Sequence, residues 1–359
     1  MKRLKYILLA SGLINFYSCK EAPQENNTQS AQDKTEEVQA EVALSTLDKI
    51  NDEIVANPMS PNGYYKRALY YKNEYNFDLA LEDIDRALKV TPDVAELVYA
   101  KADIIFNKAG ADQNPDMYAE CLSTLEKAKE LDSTHVDNLI LLGRMHLANK
   151  NHEKAIAHFD QALRQNKNAA NAYFWKGMTF EKLGKYEQAF SSYQTTIEQD
   201  PEHVSAYNHL GLLHANNFNE EGLNYYDLGL AVDPNSFELK RNKAFLLKDI
   251  ERYDEAIALI RTLTNEDPMY AEGFYNIGNV FIASYRDNQD PVTQKSITDS
   301  AIFYFEKATQ IAPEYLSAWF NHAHVNAFVG NKAVAISSYQ KVLELDENHE
   351  EALAAINEL

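Results

Sequence analysis

The histidines of this chain are the first residues to consider for metal binding or for acid and base catalysis. Ten histidines are scattered along the 359 residues. His209 and His214 are five positions apart, and His322 and His324 are two apart, so the members of each pair point to different sides of a helix. Neither spacing matches a pair of metal ligands on one helical face.

Motifs that carry catalysis are absent from the sequence. The chain contains no G-x-G-x-x-G, no Walker-type phosphate loop, no H-E-x-x-H, no G-x-S-x-G and no C-x-x-C. Asp287, Asp290 and Asp299 lack the spacing, the Gly and the terminal Glu of a calcium-binding loop. The sequence therefore predicts no catalytic residue, no cofactor and no metal site, and it favours a protein that is not an enzyme.

Cys19 is the one cysteine whose sequence context indicates a modification. Lys2, Arg3 and Lys5 precede a short apolar stretch that is too short to span a bilayer, and a small residue stands directly before Cys19. This arrangement resembles the lipobox of bacterial lipoproteins. The resemblance implies a signal peptide over residues 1–18, acylation of Cys19, and a location in the bacterial cell envelope. We expect an outer-membrane lipoprotein that is periplasmic or surface-facing, with a flexible polar tether over residues 19–42.

The composition excludes several classes of protein. The chain has 34 Lys and Arg against 54 Asp and Glu, which gives a net charge of −20. A surface this acidic argues against binding to nucleic acid, and it leaves the lipid anchor as the expected link to a membrane. Two cysteines are too few for a disulfide-rich scaffold, and 45% hydrophobic residues are enough for a sizeable core.

Small residues recur along the chain at a nearly constant interval. The series is Ala68, Ala102, Gly143, Gly177, Gly211, Ala244, Gly278 and Ala323. Successive members are 33 or 34 residues apart, except for intervals of 41 and 45. A second series of small residues follows twelve positions later at Ala80, Ala155, Ala189 and Ala256. Apolar residues around both series have helical spacing, so each interval predicts two amphipathic helices that approach closely where the residues are small.

This period and pattern resemble the tetratricopeptide repeat. The resemblance implies an all-α fold, a right-handed α-solenoid of about eight helix-turn-helix units over residues 61–349. We expect an N-terminal packing helix within residues 43–60 and a capping helix over residues 350–359. The two longer intervals predict loop insertions near residues 110–117 and 286–297, between the two helices of a unit. Cys121 replaces a small packing residue and is expected to be a buried thiol.

The resemblance also implies that the first helix of each unit lines a concave groove that binds a partner. On this sequence the groove residues would be Arg144, Phe174, Met178, Lys182, Asn208, Asn216, Arg241, Asn242, Tyr275, Asn276, Asn279, Phe320, Asn321 and His324. Asparagine can both donate and accept, which suits an extended peptide backbone, and aromatic rings offer large contact areas. Tyr275 stands where the chaperone-binding members of the family have the first lysine of a carboxylate clamp, so that activity is not carried over.

The sequence thus predicts a lipid-anchored scaffold or adaptor that binds a protein or peptide partner, and the negative charge favours a partner with a basic face. One alternative is an accessory binding module for polysaccharide uptake or for cell-wall enzymes. Exposed clusters of tyrosine rings would favour a glycan, and ladders of Asn and Arg would favour a peptide. A third class, an enzyme without recognisable motifs, would require a pocket with perturbed titratable groups.

Overall fold

The computed structural model describes residues 46–216, 218–288 and 290–359. Every regular element in these residues is a helix. The α-helices are α1 (46–56), α2 (Pro61–Asn73), α3 (Phe77–Val90), α4 (Ala95–Ala111), α5 (Met117–Leu131), α6 (Val136–Ala148), α7 (His152–Gln165), α8 (Ala170–Lys182), α9 (Tyr186–Gln199), α10 (Val204–Ala215), α11 (Glu221–Val232), α12 (Phe237–Asp249), α13 (Tyr253–Glu266), α14 (Ala271–Ser284), α15 (Pro291–Ile311), α16 (Leu316–Phe328), α17 (Lys332–Leu345) and α18 (Glu350–Glu358). A short 3-10 helix, Tyr285–Asp287, follows α14.

The predicted signal peptide, Cys19 and the predicted tether lie outside the described residues. Among the residues that are described, no helix is both long enough and apolar enough to cross a bilayer.

The chain divides into two compact units, of which the first extends to Thr91. In this unit α1 packs against α2, and a Cβ atom built on Gly63 of α2 would lie 2.7 Å from a side-chain carbon of Ile54 in α1. Helices α2 and α3 form a hairpin that contains a bidentate ion pair. Arg67 donates from Nε and Nη2 to the carboxylate of Asp83 at 2.6 and 2.9 Å, and Asp83 is only 2% exposed.

The second unit, Pro92–Leu359, consists of seven helical hairpins followed by α18. The hairpins pair α4 with α5, α6 with α7, and so on to α16 with α17, and each hairpin packs against the next. Stacked hairpins of this kind form an all-α solenoid, which confirms the predicted fold class. Its core is a series of local clusters, each shared between neighbouring repeats.

The glycines of the periodic series make room for an aromatic ring rather than for direct contact of two backbones. A Cβ atom on Gly143 would lie less than 3.0 Å from the ring of Phe159, and one on Gly211 would meet the ring of Tyr226 equally closely. Gly177 and Tyr193 are related in the same way, at 2.7 Å. In each of these hairpins the ring comes from the second helix. The interval predicts the hairpins correctly, but its physical reason is a ring that fills the space of the missing side chain.

The turns inside the hairpins depend on a residue whose backbone is in the left-handed conformation. Among the described residues, seven of the eight hairpins contain one residue with positive φ between the two helices, and the seventh hairpin, with its longer connection, shows none. Glycine occupies this position twice, at Gly184 (φ 69°) and Gly330 (φ 86°). The other five turns use larger residues, which are Tyr75, Gln113, Lys150, Phe218 and Glu251.

The two expanded repeats differ from the expectation that their extra residues form loops. In the second repeat α4 continues to Ala111, so the connection is limited to residues 112–116. In the seventh repeat much of the predicted loop is helical, because α15 already begins at Pro291. Pro291 is favourable at the first helical position, and the Asp290 carboxylate accepts a hydrogen bond from the Thr293 amide at 2.9 Å. These two local signals start the helix inside the insertion.

Candidate functional site

The predicted groove residues lie on successive first helices of the second unit. We call this set the first-helix face, and its members are Arg144 on α6, Phe174 and Lys182 on α8, Asn208 on α10, Arg241 and Asn242 on α12, Tyr275, Asn276 and Asn279 on α14, and Phe320, Asn321 and His324 on α16. Side-chain contacts connect several of these helices to one another. The structure therefore brings the predicted residues into one row of stacked helices.

Arg144 occupies a slot between two aromatic rings. Its guanidinium carbon lies 4.7 Å from the centroid of the Phe106 ring on α4 and 4.5 Å from the Trp175 ring on α8. Burial lowers the pKa of Arg144, yet an arginine remains a cation in this range. The two cation–π contacts hold three first helices together. Arg144 thus has a structural use within the fold.

Phe174 belongs to the core, so the expectation that it contacts a partner needs correction. It is 7% exposed, and its ring contacts His203 (4.6 Å), His209 (5.6 Å) and Tyr193 (5.7 Å) between centroids. The next repeat covers Phe174 because α10 packs directly against α8 and α9 at this point. Lys182, at the end of α8, is exposed.

Several of the asparagines bind each other across repeats. Asn242 donates from Nδ2 to Oδ1 of Asn208 at 2.8 Å, and both residues are buried. Asn321 donates in the same way to Oδ1 of Asn279 at 2.8 Å, and also to the hydroxyl oxygen of Tyr275 at 3.3 Å. Asn208 and Asn242 therefore join adjacent repeats, and their burial removes them from direct contact with a partner.

Three donors on or beside α12 and α14 have no acceptor within the described part of the chain. They are Nε of Arg241, the hydroxyl of Tyr270 and Nδ2 of Asn276, and all three atoms are buried. We call these residues the donor cluster. Burial raises the pKa of the Tyr270 phenol and outweighs the opposite effect of the Arg241 charge, so the phenol retains its proton. A buried donor without a partner costs about 1–3 kcal/mol. The three residues as wholes are only half-buried, so a small movement of their side chains would bring these donors to an acceptor supplied from outside.

Aromatic rings flank the donor cluster. Tyr270 makes an edge contact with Phe237 at 4.9 Å between centroids, and Tyr275 lies 4.9 Å from Tyr315. Tyr275 and Tyr315 are only partly buried. Hydrogen-bond donors next to accessible ring surface can bind the backbone carbonyls of a peptide or a carboxylate.

The sequence reasoning missed Tyr270, Phe237 and Tyr315, although a signal for two of them existed. Tyr270 and Tyr315 precede first helices and stand eight positions before a small residue of the periodic series. Histidine occupies the same place at His135 and His203, where Nδ1 accepts an amide hydrogen bond of the following helix at 3.1 and 3.3 Å. An aromatic or imidazole ring thus recurs at the start of these first helices and adds to the face.

The C-terminal part of the face is built from stacked rings. Phe320 stacks on His349 at 5.0 Å and lies 6.2 Å from His324 between centroids. Burial lowers the pKa of His324, which favours a neutral ring. Tyr339 lies behind them, with its hydroxyl 3.4 Å from Nδ1 of His324. Phe320 and His324 are half-buried and so keep part of their surface at the face.

Away from the first-helix face, one group of side chains has the ligand types of a metal site. Glu126, His146 and His158 come from three different helices and lie close together. Burial lowers the pKa of both histidines, to about 4 for His158. Their separation in sequence gives no metal-binding signal, so the sequence does not predict this grouping.

Comparison with known proteins identifies repeats of one type. Models described as "Tetratricopeptide repeat" match residues 140–194 and 316–349, and a model described as "TPR repeat" matches residues 179–217. A crystal structure of the C-terminal part of a TPR repeat-containing protein from Cytophaga hutchinsonii superimposes with a TM-score of 0.58 at 15% identity. The match covers 72% of this chain and 99% of that one, and it supports the fold.

The curated relatives are proteins that this chain matches over only part of their length. Anaphase-promoting complex subunit 3 of Schizosaccharomyces pombe is 26% identical over 46% of this chain and 25% of its own length. The human protein O-mannosyl-transferase TMTC3 is 22% identical over 77% of this chain and 31% of its own length. The human superkiller complex protein 3 is matched over 20% of its length. The chain therefore spans between about a fifth and a third of the length of these relatives.

Proposed function

We propose that this chain, whose repeats match the tetratricopeptide repeat, is a non-enzymatic scaffold that holds a protein partner against its first-helix face. Proteins built from this repeat are typically scaffolds for other proteins. The relative in Schizosaccharomyces pombe is by name a subunit of a complex, which supports an assembly role. The human relative is named as a transferase, but the present chain matches only 31% of its length. The proposal therefore does not include the transferase activity.

The donor cluster is the observation that carries this proposal. Arg241, Tyr270 and Asn276 each hold a buried donor without an acceptor among the described residues, beside the partly accessible ring of Tyr275. An extended peptide offers carbonyl oxygens to such donors and side chains to such a ring. The net charge of −20 favours a partner with a basic face and an association rate that falls as salt is added.

A peptide suits this face better than a glycan does. Arg241 and Asn276 are half-buried and have unpaired donors, and these are the residue types that are expected for peptide binding. The tyrosine rings at the face are partly buried and lie at angles to one another, with 48° between the planes of Tyr275 and Tyr315. A glycan-binding platform would present exposed, coplanar rings.

Site-specific photo-crosslinking in cells tests the face directly. A photoreactive phenylalanine analogue replaces Tyr275 on the first-helix face, and in a matched variant it replaces Tyr186, an exposed tyrosine at the start of the second helix α9. We expect a discrete crosslinked protein from position 275 and none from position 186. Loss of the same adduct in a variant with Arg241 and Asn276 replaced by Ala would assign it to the donor cluster. An adduct that forms from position 186 alone would place the partner on the other side of the repeats, and an adduct with glycan in place of protein would favour the polysaccharide alternative.

We further propose that Cys19 is acylated and tethers the scaffold to the bacterial outer membrane. The support is the lipobox-like sequence that ends at Cys19 and the polar stretch that follows it. Metabolic labelling with an alkyne fatty acid should mark the wild-type chain and leave Cys19→Ser unlabelled. Cys121→Ser is the matched control, because that thiol is buried and should not affect labelling. Equal labelling of the wild type and Cys19→Ser would exclude the anchor without affecting the role of the first-helix face.

A further inference from the structure

A group of three ligand-type side chains lies where α5, α6 and α7 meet. It consists of Glu126 on α5, His146 in the last turn of α6 and His158 on α7. One ligand atom of each residue lies within 4.8 Å of the other two. The imidazole rings are stacked, with 5.2 Å between centroids and 7° between planes. Two successive repeats thus bring two imidazoles and a carboxylate to one point.

Both histidines contain a ring nitrogen without a partner among the described residues. Nδ1 of His146 and Nδ1 of His158 are buried and accept or donate no hydrogen bond, and His146 as a whole is 8% exposed. Buried polar atoms are normally paired, because an unpaired one is costly. Two stacked rings cannot satisfy each other, since the hydrogen-bonding directions of imidazole lie in the plane of the ring. An ion that accepts nitrogen lone pairs would supply a partner for both rings once one ring rotates out of the stack, because these lone pairs also lie in the ring plane.

We propose that Glu126, His146 and His158 bind a divalent transition-metal ion, and that Zn²⁺ fits the ligand set best. Two imidazole nitrogens and one carboxylate oxygen are the ligands of zinc sites that leave a fourth position open. Ca²⁺ and Mg²⁺ prefer sites built entirely from oxygen and fit this group less well. Zn²⁺ lies about 2.0–2.1 Å from its nitrogen ligands, so the three side chains must move together and one imidazole ring must rotate when the ion binds.

The surroundings of the group set its expected affinity. The side chain of Glu126 is 46% exposed, which gives the ion a route from solvent and gives the carboxylate freedom to move. Lys129 lies 4.0 Å from the Glu126 carboxylate, and the charges of Lys129 and Lys154 also act on the two histidines. These lysines oppose a bound cation, and Lys129 competes with it for Glu126. The affinity should therefore be moderate, and an anion is the favoured fourth ligand.

Titration of ZnCl₂ into the full chain near neutral pH, followed by calorimetry, tests the site. We expect one Zn²⁺ per chain to bind at this group. Glu126→Gln and His158→Gln should each weaken binding by at least about 10-fold, because even the loss of a residue that only orients a metal ligand typically costs about 10- to 100-fold. His152→Gln is the matched control, since His152 stands on the same helix and its Nδ1 is likewise buried and unpaired, but it lies outside the group. This control should bind Zn²⁺ as the wild type does.

Lys129→Gln should change the Zn²⁺ affinity in the opposite direction. Removal of the competing cation should strengthen Zn²⁺ binding by about 3- to 10-fold, because one nearby charge is worth roughly 1 kcal/mol at a partly exposed site. Glu126 and Lys129 are partly exposed, so neither substitution removes a side chain from the core. Opposite effects at Glu126 and Lys129 would not arise from a purely structural role of the histidines. Failure of the wild type to bind Zn²⁺, or unchanged binding by a folded His146→Gln/His158→Gln double variant, would overturn the proposal.

Discussion

At the scale of single residues, the fold depends on the fit between a missing side chain and an aromatic ring. Gly211 lies on a first helix and the fully buried ring of Tyr226 fills the space beside it. The ring cannot move into solvent, because the next repeat covers it. A side chain at this position must therefore push the two helices of the hairpin apart.

Gly211→Leu should lower the free energy of unfolding by about 2–4 kcal/mol through overpacking. Gly110→Ala is the matched control, since Gly110 also lies in a helix but has no atom within 4 Å of the Cβ that alanine would add. That substitution should be neutral or should stabilise by about 0.5–1 kcal/mol, because Ala is the better helix former. Urea unfolding followed by circular dichroism measures both. Equal stability of Gly211→Leu and the wild type would contradict the assigned packing.

A buried histidine makes the stability of the last hairpin depend on pH. Nδ1 of His322 is 2.9 Å from the Ser338 hydroxyl oxygen, and Asn326 donates from Nδ2 to Nε2 of His322 at 3.3 Å. Burial lowers the pKa of His322 below its ordinary value. The neutral ring accepts from Asn326, whereas a protonated ring would place a second donor against it.

His322 should therefore destabilise the fold as the pH falls. Below the unfolded-state pKa of about 6.5 the unfolded chain binds a proton at this residue and the folded chain does not, so stability declines until the lowered folded-state pKa is reached. In His322→Asn the melting temperature should fall less between pH 7 and pH 5 than in the wild type, whatever the absolute difference at pH 7. Identical slopes in the two proteins would show that His322 is not the titrating group.

At the scale of elements, one hairpin joins its two helices by an ion pair. In the first unit this is the ion pair of Arg67 and Asp83, to which Arg86 adds a further hydrogen bond from Nη1 at 3.1 Å. Asp83 is buried, so removal of its charge leaves the Arg67 guanidinium without its main partner. Such a loss is far more costly than the loss of a pair at the surface.

Asp83→Asn should destabilise the α2–α3 hairpin by about 3 kcal/mol, near the lower end of the range for broken buried pairs because Arg67 retains some exposure. Hydrogen exchange of the α2 and α3 amides measures this locally. Asp299→Asn removes an exposed pair with Lys295 and should change stability by less than about 0.5 kcal/mol. Similar protection of α2 and α3 in the wild type and Asp83→Asn would mean that the ion pair contributes little.

The sequence predicted the hairpins well, because a period of small residues reports directly on the packing of two helices. It could not predict which polar side chains of the face remain available. Asn208 and Asn242 stand at positions that suit a groove, but they meet across two repeats, and that distance depends on how the repeats stack. Glu126, His146 and His158 come together for the same reason, without any regular spacing in the chain. The helix from Pro291 was missed because its local capping signals lie within a segment whose composition favours a loop.

At the scale of the whole molecule, contacts in the second unit are largely local. Each helix packs mainly against its neighbours and next neighbours in sequence. Stability in such an array is approximately a sum of repeat and interface terms, so a defect in one repeat need not unfold the others at once. The two tryptophans of the chain, Trp175 on α8 and Trp319 on α16, can report on separate repeats.

Single-tryptophan variants should reveal this separation. In Gly211→Leu combined with Trp319→Phe, the fluorescence of Trp175 follows the repeat next to the defect, and its urea midpoint should fall clearly. In Gly211→Leu combined with Trp175→Phe, the midpoint of Trp319 should fall less, because two repeats lie between it and the defect. Each midpoint is compared with that of the same single-tryptophan protein without Gly211→Leu. Equal shifts would indicate that the second unit unfolds in one cooperative step.

The left-handed turns have a consequence for the evolution and engineering of this chain. At Lys150, Phe218 and Glu251 a side chain occupies a backbone conformation that disfavours it by about 1 kcal/mol or more, while Gly184 and Gly330 meet the same need without that penalty. These three residues lie in turns between helices, and none of them belongs to the first-helix face. The chain therefore retains positions at which substitution can raise its thermal stability. Laboratory evolution at high temperature should change these turn residues before it changes the surface that recognises other molecules.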